Sequence, residues 1–84
     1  VTLAEYRALL PADGDELTVL DHLAEEGMAE HDLCDVAKRL LVGLTQYGPL
    51  NLLSDARDWR KEAREEWLDL QVYIACAEIV EAAE

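Results

Sequence analysis

The chain has 84 residues, 51% hydrophobic and 31% charged, and its nineteen Asp and Glu against seven Lys and Arg give a formal net charge of -12. That length allows one small domain with a single modest core, and the apolar content is too high for a disordered acidic tail. A surface so negative disfavours direct nucleic-acid binding through phosphate contacts and binding to anionic membranes, while it attracts divalent cations or a basic face on another protein.

The opening VTLAEYRALLPADG reads as a short helix. Thr2 and Glu5 have capping-box spacing, Leu3, Tyr6 and Leu10 share a face, and Pro11 stops the helix. Asp13, Gly14 and Asp15 make a turn. A second helix fits Glu16 to Glu26, with Leu17, Leu20 and Leu23 in helical register, an acidic polar face and Gly27 at the stop. Leu33, Val36, Leu40, Leu41, Leu44 and Tyr47 keep a period near 3.6, so a third helix is expected over Glu30 to Tyr47, ended by Gly48-Pro49. After LNLLSD, Ser54 suits an N-cap, with Asp55 and Asp58 in the first turn opposing the helix dipole. No Pro or Gly then interrupts the chain through Glu84.

Along that last helix Ala56, Trp59, Ala63, Trp67, Leu70 and Ile74 form an apolar stripe, and Glu62, Glu65, Glu66 and Asp69 gather on its flank, where partial burial is expected. Beyond Asp69, apolar residues from Val72 to Val80 fall on nearly every side, a pattern that asks for cover all round. A straight helix over 55 to 82 is about 42 Å long, whereas a compact chain of this length has a radius of gyration of about 12 Å. The helix therefore bends, or projects and finds a partner. The expected architecture is all-α, a single domain over 1–84 folded as a small antiparallel bundle of about four helices. Its long C-terminal helix sits at the centre, and pairing into a homodimer completes it.

Cys34 and Cys76 form no framework and no CxxC pair, and read as reduced, buried small hydrophobes. No secretory pattern opens the sequence and no apolar run approaches a membrane span, so a cytoplasmic protein is expected. His31, Cys34 and Asp35 have ligand spacing, but a zinc site lacks its second ligand set. The stretch DGDELTVLDHLAE starts like a calcium loop, yet Thr18 and Ala24 occupy the positions that need Gly and Glu. Ser54 has no His and acid arrangement to make it a nucleophile.

Glu62, Glu65, Glu66 and Asp69 stand one turn apart, and carboxylates so placed can converge on a hard, oxygen-seeking ion such as Mg²⁺. A plain solvated face has the same spacing, with Arg57, Arg60, Lys61 and Arg64 as ordinary ion-pair partners. The segment YGPLNLLSDARDWRKEAREEWLDLQVYIACA, residues 47–77, resembles MazG-like all-α nucleotide pyrophosphohydrolases and the small phage and bacterial proteins near them. There a YGP turn leads through an RDW-type start into a helix reading EAxEExLDxxxYxA. The resemblance implies Mg²⁺-dependent hydrolysis of a nucleoside triphosphate to the monophosphate and pyrophosphate. Glu66 and Asp69 match the ExxD half of that family's motif, Glu62 and Glu65 extend it, and a basic residue such as Lys38, Arg39 or Arg57 is available to phosphate. The EExxE half has no counterpart: Glu25, Glu26 and Glu30 come nearest, one residue too long and broken by Gly27. The alternative is a non-catalytic acidic helical protein, of the phage or host inhibitor type, whose carboxylates imitate nucleic-acid phosphates on a basic partner.

Overall fold

The computed structural model describes all 84 residues, and they form four α-helices with no strand: α1 (Leu3–Leu9), α2 (Glu16–Glu25), α3 (Glu30–Tyr47) and α4 (Trp59–Ala83). The first three boundaries follow from their signals. Thr2 caps α1 as half of a complete capping box: the Glu5 N–H donates to Thr2 Oγ1 at 3.2 Å, and the Thr2 N–H donates to Glu5 Oε1 at 3.3 Å. Gly27, at φ 94, closes α2. Its N–H donates to the Ala24 carbonyl and the Met28 N–H reaches back to the Leu23 carbonyl, each at 3.1 Å. That paired arrangement satisfies two carbonyls the helix end would leave open, and its left-handed residue favours glycine. Gly48 ends α3, its N–H donating to the Leu44 carbonyl at 2.9 Å.

Helix α3 is the spine of the body. Both α1 and α2 pack on it, and the core is Leu10, Leu20, Leu33 and Ala37, ringed by Leu3, Tyr6, Leu17, Leu23, Met28, Val36, Leu40 and Leu41. Each fully buried leucine contributes about 1.5–3 kcal/mol. Arg7 of α1 bonds Asp21 of α2 at 2.6 Å across an exposed edge.

The fourth helix departs from expectation in two ways. It starts at Trp59 instead of near Asp55, because Asp55 is already committed: it accepts the Arg57 N–H at 2.9 Å and holds a turn that competes with helix. Ser54 is therefore no cap; its hydroxyl donates to the Asn51 carbonyl at 3.4 Å, and Asp58 caps the helix by accepting the Lys61 N–H at 3.2 Å. The second departure is that within the single chain α4 is not central. It builds no packed interface with the body, and every residue from 56 to 84 is exposed. About 37 Å of helix thus projects from a three-helix body, giving a radius of gyration of 15.5 Å and a longest dimension of 48 Å. No helix is long and apolar enough to cross a membrane.

The segment that launches α4 is tied down by acids of α2. Glu16, only 2% exposed, accepts the Leu50 N–H on Oε1 at 2.5 Å. Its neighbour Asp15 accepts the Leu52 N–H on Oδ2 at 2.7 Å, and the Asp15 N–H donates to the Leu50 carbonyl at 2.8 Å. Glu16 Oε2 is buried without a partner and lies so close over Gly14 that a Cβ there would overlap it. Gly14→Ala should therefore push the carboxylate off Leu50 and lower stability by about 1–3 kcal/mol. Urea unfolding measures this, and an unchanged midpoint would show that the clamp tolerates displacement.

Candidate functional site

Asp58 starts α4 so that Glu62, Glu65, Glu66 and Asp69 occupy its first three turns. All four are exposed, and none forms an ion pair with a cation. The partial burial expected beside the apolar stripe does not occur in a single chain, because no other helix packs against that stripe: Trp67 is 49% exposed and Leu70 51%. The nearby cations do other work. Arg57 stacks over Trp59 at 4.4 Å and Arg64 over Trp67 at 4.7 Å, each covering an aromatic face that would otherwise be wet.

Within one chain no group of three His, Cys, Asp or Glu side chains converges on a point that could hold a metal ion. His31, Cys34 and Asp35 are no exception: His31 lies 3.4 Å from Asp32, and Asp35 pairs with Lys38 at 3.6 Å. Both cysteines are free, with Cys34 half-buried and Cys76 exposed, so the expectation that both are buried holds for neither in full. The chemistry of the α4 donors nevertheless suits Mg²⁺, which takes hard oxygen ligands, commonly only one or two carboxylates, and fills its shell with water and phosphate oxygens.

A concave region lies at the root of α4. A cleft of about 350 Å³ is lined by Glu16 of α2, the last turns of α3, the 48–51 loop and the residues entering α4, with Arg39, Tyr47, Asp55, Arg57 and Trp59 among them. Of the three cations available to a phosphate, Arg39 and Arg57 line this cleft and Lys38 does not. Arg39 pairs with no carboxylate. Arg57 is held by Asp55, through Nη2 at 2.7 Å and Nε at 3.1 Å. The guanidinium bond, reinforced by the Arg57 backbone N–H, holds the Asp55 carboxyl below its ordinary value. The same bond raises Arg57, with a smaller electrostatic contribution from Glu62, so the first acid of the α4 cluster lies within reach of the cleft's charge.

Sequence reasoning missed the clamp made by Asp15 and Glu16. The stretch DGDE reads locally as a turn leading into a helix start at Glu16, and nothing in a local pattern shows that an acidic residue there will be buried under a loop 34 positions away. Compared with known protein families, curated proteins and solved structures, the chain matches none.

Because Asp55 is depressed in the fold, its bond to Arg57 contributes fully above the ordinary carboxylate range and is lost as pH falls through the depressed value. Arg57→Ala should return Asp55 to an ordinary titration midpoint. Carboxyl NMR titration reads this directly, and equal midpoints in the two proteins would remove the guanidinium as the cause.

Proposed function

We propose that the chain is a MazG-like helical protein, acting as a Mg²⁺-dependent nucleoside triphosphate pyrophosphohydrolase or as a divergent member of that scaffold, and that it self-associates through α4. The observation that carries the reading is a juxtaposition: a cleft with two guanidiniums, Arg39 and Arg57, at the root of the helix whose first turns carry Glu62, Glu65, Glu66 and Asp69. In this reading the cleft takes the anionic end of the substrate, with Arg39 free to pair with a phosphate oxygen. Tyr47 and Trp59 offer apolar faces to a base. Glu62 and Glu66, one turn apart, with Glu65 and Asp69 beside them, supply carboxylate oxygens for Mg²⁺. A metal so held polarises phosphate oxygens and lowers the pKa of an attacking water.

A second reading is favoured by the openness of the same acids. Four unpaired carboxylates on a projecting helix, in a chain of net charge -12, suit a non-catalytic acidic protein docking on a basic partner surface. That partner would meet a row of anions already clear of the body.

The two readings separate in solution. The enzymatic one expects Mg²⁺ or Mn²⁺ to raise the thermal midpoint and pyrophosphate to appear from a panel of nucleoside triphosphates. Glu66→Ala should then lower turnover by a hundredfold or more while leaving the fold intact, since an exposed substitution shifts stability by only about 0.5 kcal/mol. Absence of both metal stabilisation and turnover would sink it. Salt-sensitive binding to a basic protein, abolished when the four acids are replaced by lysine, supports the second reading.

A further inference from the structure

The stripe of α4 is longer and more regular than its apolar members suggest. Arg60, Ala63, Trp67, Leu70, Ile74, Ala77 and Glu81 recur at alternating intervals of three and four residues, the spacing of a two-helix seam, and Glu84, the residue that caps the helix, continues it. The stripe is exposed along its whole length: Trp67, Leu70 and Ile74 remain between 43% and 51% accessible. Its ends differ in charge at the seam itself, Arg60 at one and Glu81 and Glu84 at the other, while Glu62, Glu65, Glu66 and Asp69 bring acids to the first turns as well. The cations of α4, Arg60, Lys61 and Arg64, all lie in its first two turns, whereas the charges beyond Asp69 are Glu78, Glu81 and Glu84 alone.

We propose that the occupant of this stripe is α4 of a second copy of the chain, running antiparallel. The inference deepens the self-association in the function proposed above and rests on it. In the antiparallel register Leu70 faces Ile74 of the partner subunit, Trp67 faces the small Ala77 of the partner subunit, and Arg60 faces Glu84 of the partner subunit. Beside the seam, Arg64 meets Glu78 of the partner subunit. A two-fold axis makes every one of these contacts occur twice. Parallel pairing fails on both size and charge: it sets Trp67 against Trp67, leaves Ala63 and Ala77 facing their small counterparts, and stacks Arg60, Glu81 and Glu84 each on its own like charge. Antiparallel pairing also puts the two three-helix bodies at opposite ends, where neither obstructs the other.

One consequence bears on the acid cluster. Glu62, Glu65 and Asp69 lie off the seam and Glu66 borders it on the side opposite Arg64, beside Val80 of the partner subunit; in this register the two clusters stand about 20 Å apart along the axis. They do not pool into one site, so each cluster works beside the cleft of its own chain. Leu68, Val72 and Ile79 fall on the opposite side of α4 and stay outside the pair.

Charge exchange and one distance test the register. By sedimentation equilibrium the wild-type chain should show twice its 9.4 kDa mass at micromolar concentration. Arg64→Glu alone, and Glu78→Arg alone, should each raise the dimer dissociation constant about fivefold to tenfold. The double variant should return it to within about twofold of wild type, because each exchanged side chain again meets its opposite charge. With Cys34→Ser and Cys76→Ser, a spin label on Ala82→Cys should report two labels about 30 Å apart along the axis, whereas parallel helices would bring them within about 15 Å. A wild-type chain that stays monomeric overturns both the register and the self-association. A dimer with close labels, or one that the double variant does not rescue, overturns the register alone, and metal-dependent turnover is measured independently of either.

Discussion

The interaction on which the rest of the structure depends is the bond from the Leu50 N–H to the buried carboxylate of Glu16, with Asp15 beside it taking the Leu52 N–H. A carboxylate at 2% exposure is costly to bury. Here one charge-assisted bond, from the Leu50 N–H to Oε1, offsets part of that cost, while Oε2 stays buried without a partner. Because the acids sit at the start of α2 and the donors follow α3, the clamp ties the beginning of one helix to the exit of another. It thereby sets where the chain leaves the body, forms one wall of the cleft with Arg39 and Arg57, and determines where α4 begins its projection. Gly14 is the space this arrangement requires, since any side chain there would meet the same carboxylate.

Past the clamp, a second acid repeats the device on a smaller scale. Asp55 gathers the Arg57 backbone N–H and guanidinium, and the turn it makes delays the helix to Trp59. Arg57 in turn lies over the Trp59 ring. The stretch from Leu50 to Trp59 is therefore ordered mostly by acids that accept hydrogen bonds, which accounts for part of the chain's surplus of negative charge. The acids along α4, by contrast, accept no hydrogen bond and form no ion pair inside the fold.

Much of the body could be read from the chain alone. The capping box at Thr2, the glycine stop at Gly27 and the periodic leucines of α3 are local signals, and the structure follows each of them within a residue or so. The candidate site was legible only as a helical side. That Glu62, Glu65, Glu66 and Asp69 share a flank follows from spacing, but whether the flank is covered depends on what packs there. The sequence pattern suggested partial burial, and the single chain leaves the flank open. The cleft has no signature in the chain, since its walls come from α2, α3 and the stretch from α3 into α4, whose meeting depends on the Glu16 clamp.

What the sequence by itself determined is most of what acts over one or two turns: four helices, their stops, the acidic flank and the continuous apolar dress of the last helix, though not the start of α4, which the Asp55–Arg57 turn delays to Trp59. These follow from side-chain periodicity and from capping groups placed within four residues of the backbone atoms they satisfy. Only the tertiary structure decided that α3 and not α4 is the spine, that Glu16 is buried, and that α4 stands clear of the body. Those outcomes turn on contacts between residues far apart in the chain, where burial and hydrogen bonding compete globally and local pattern carries no vote.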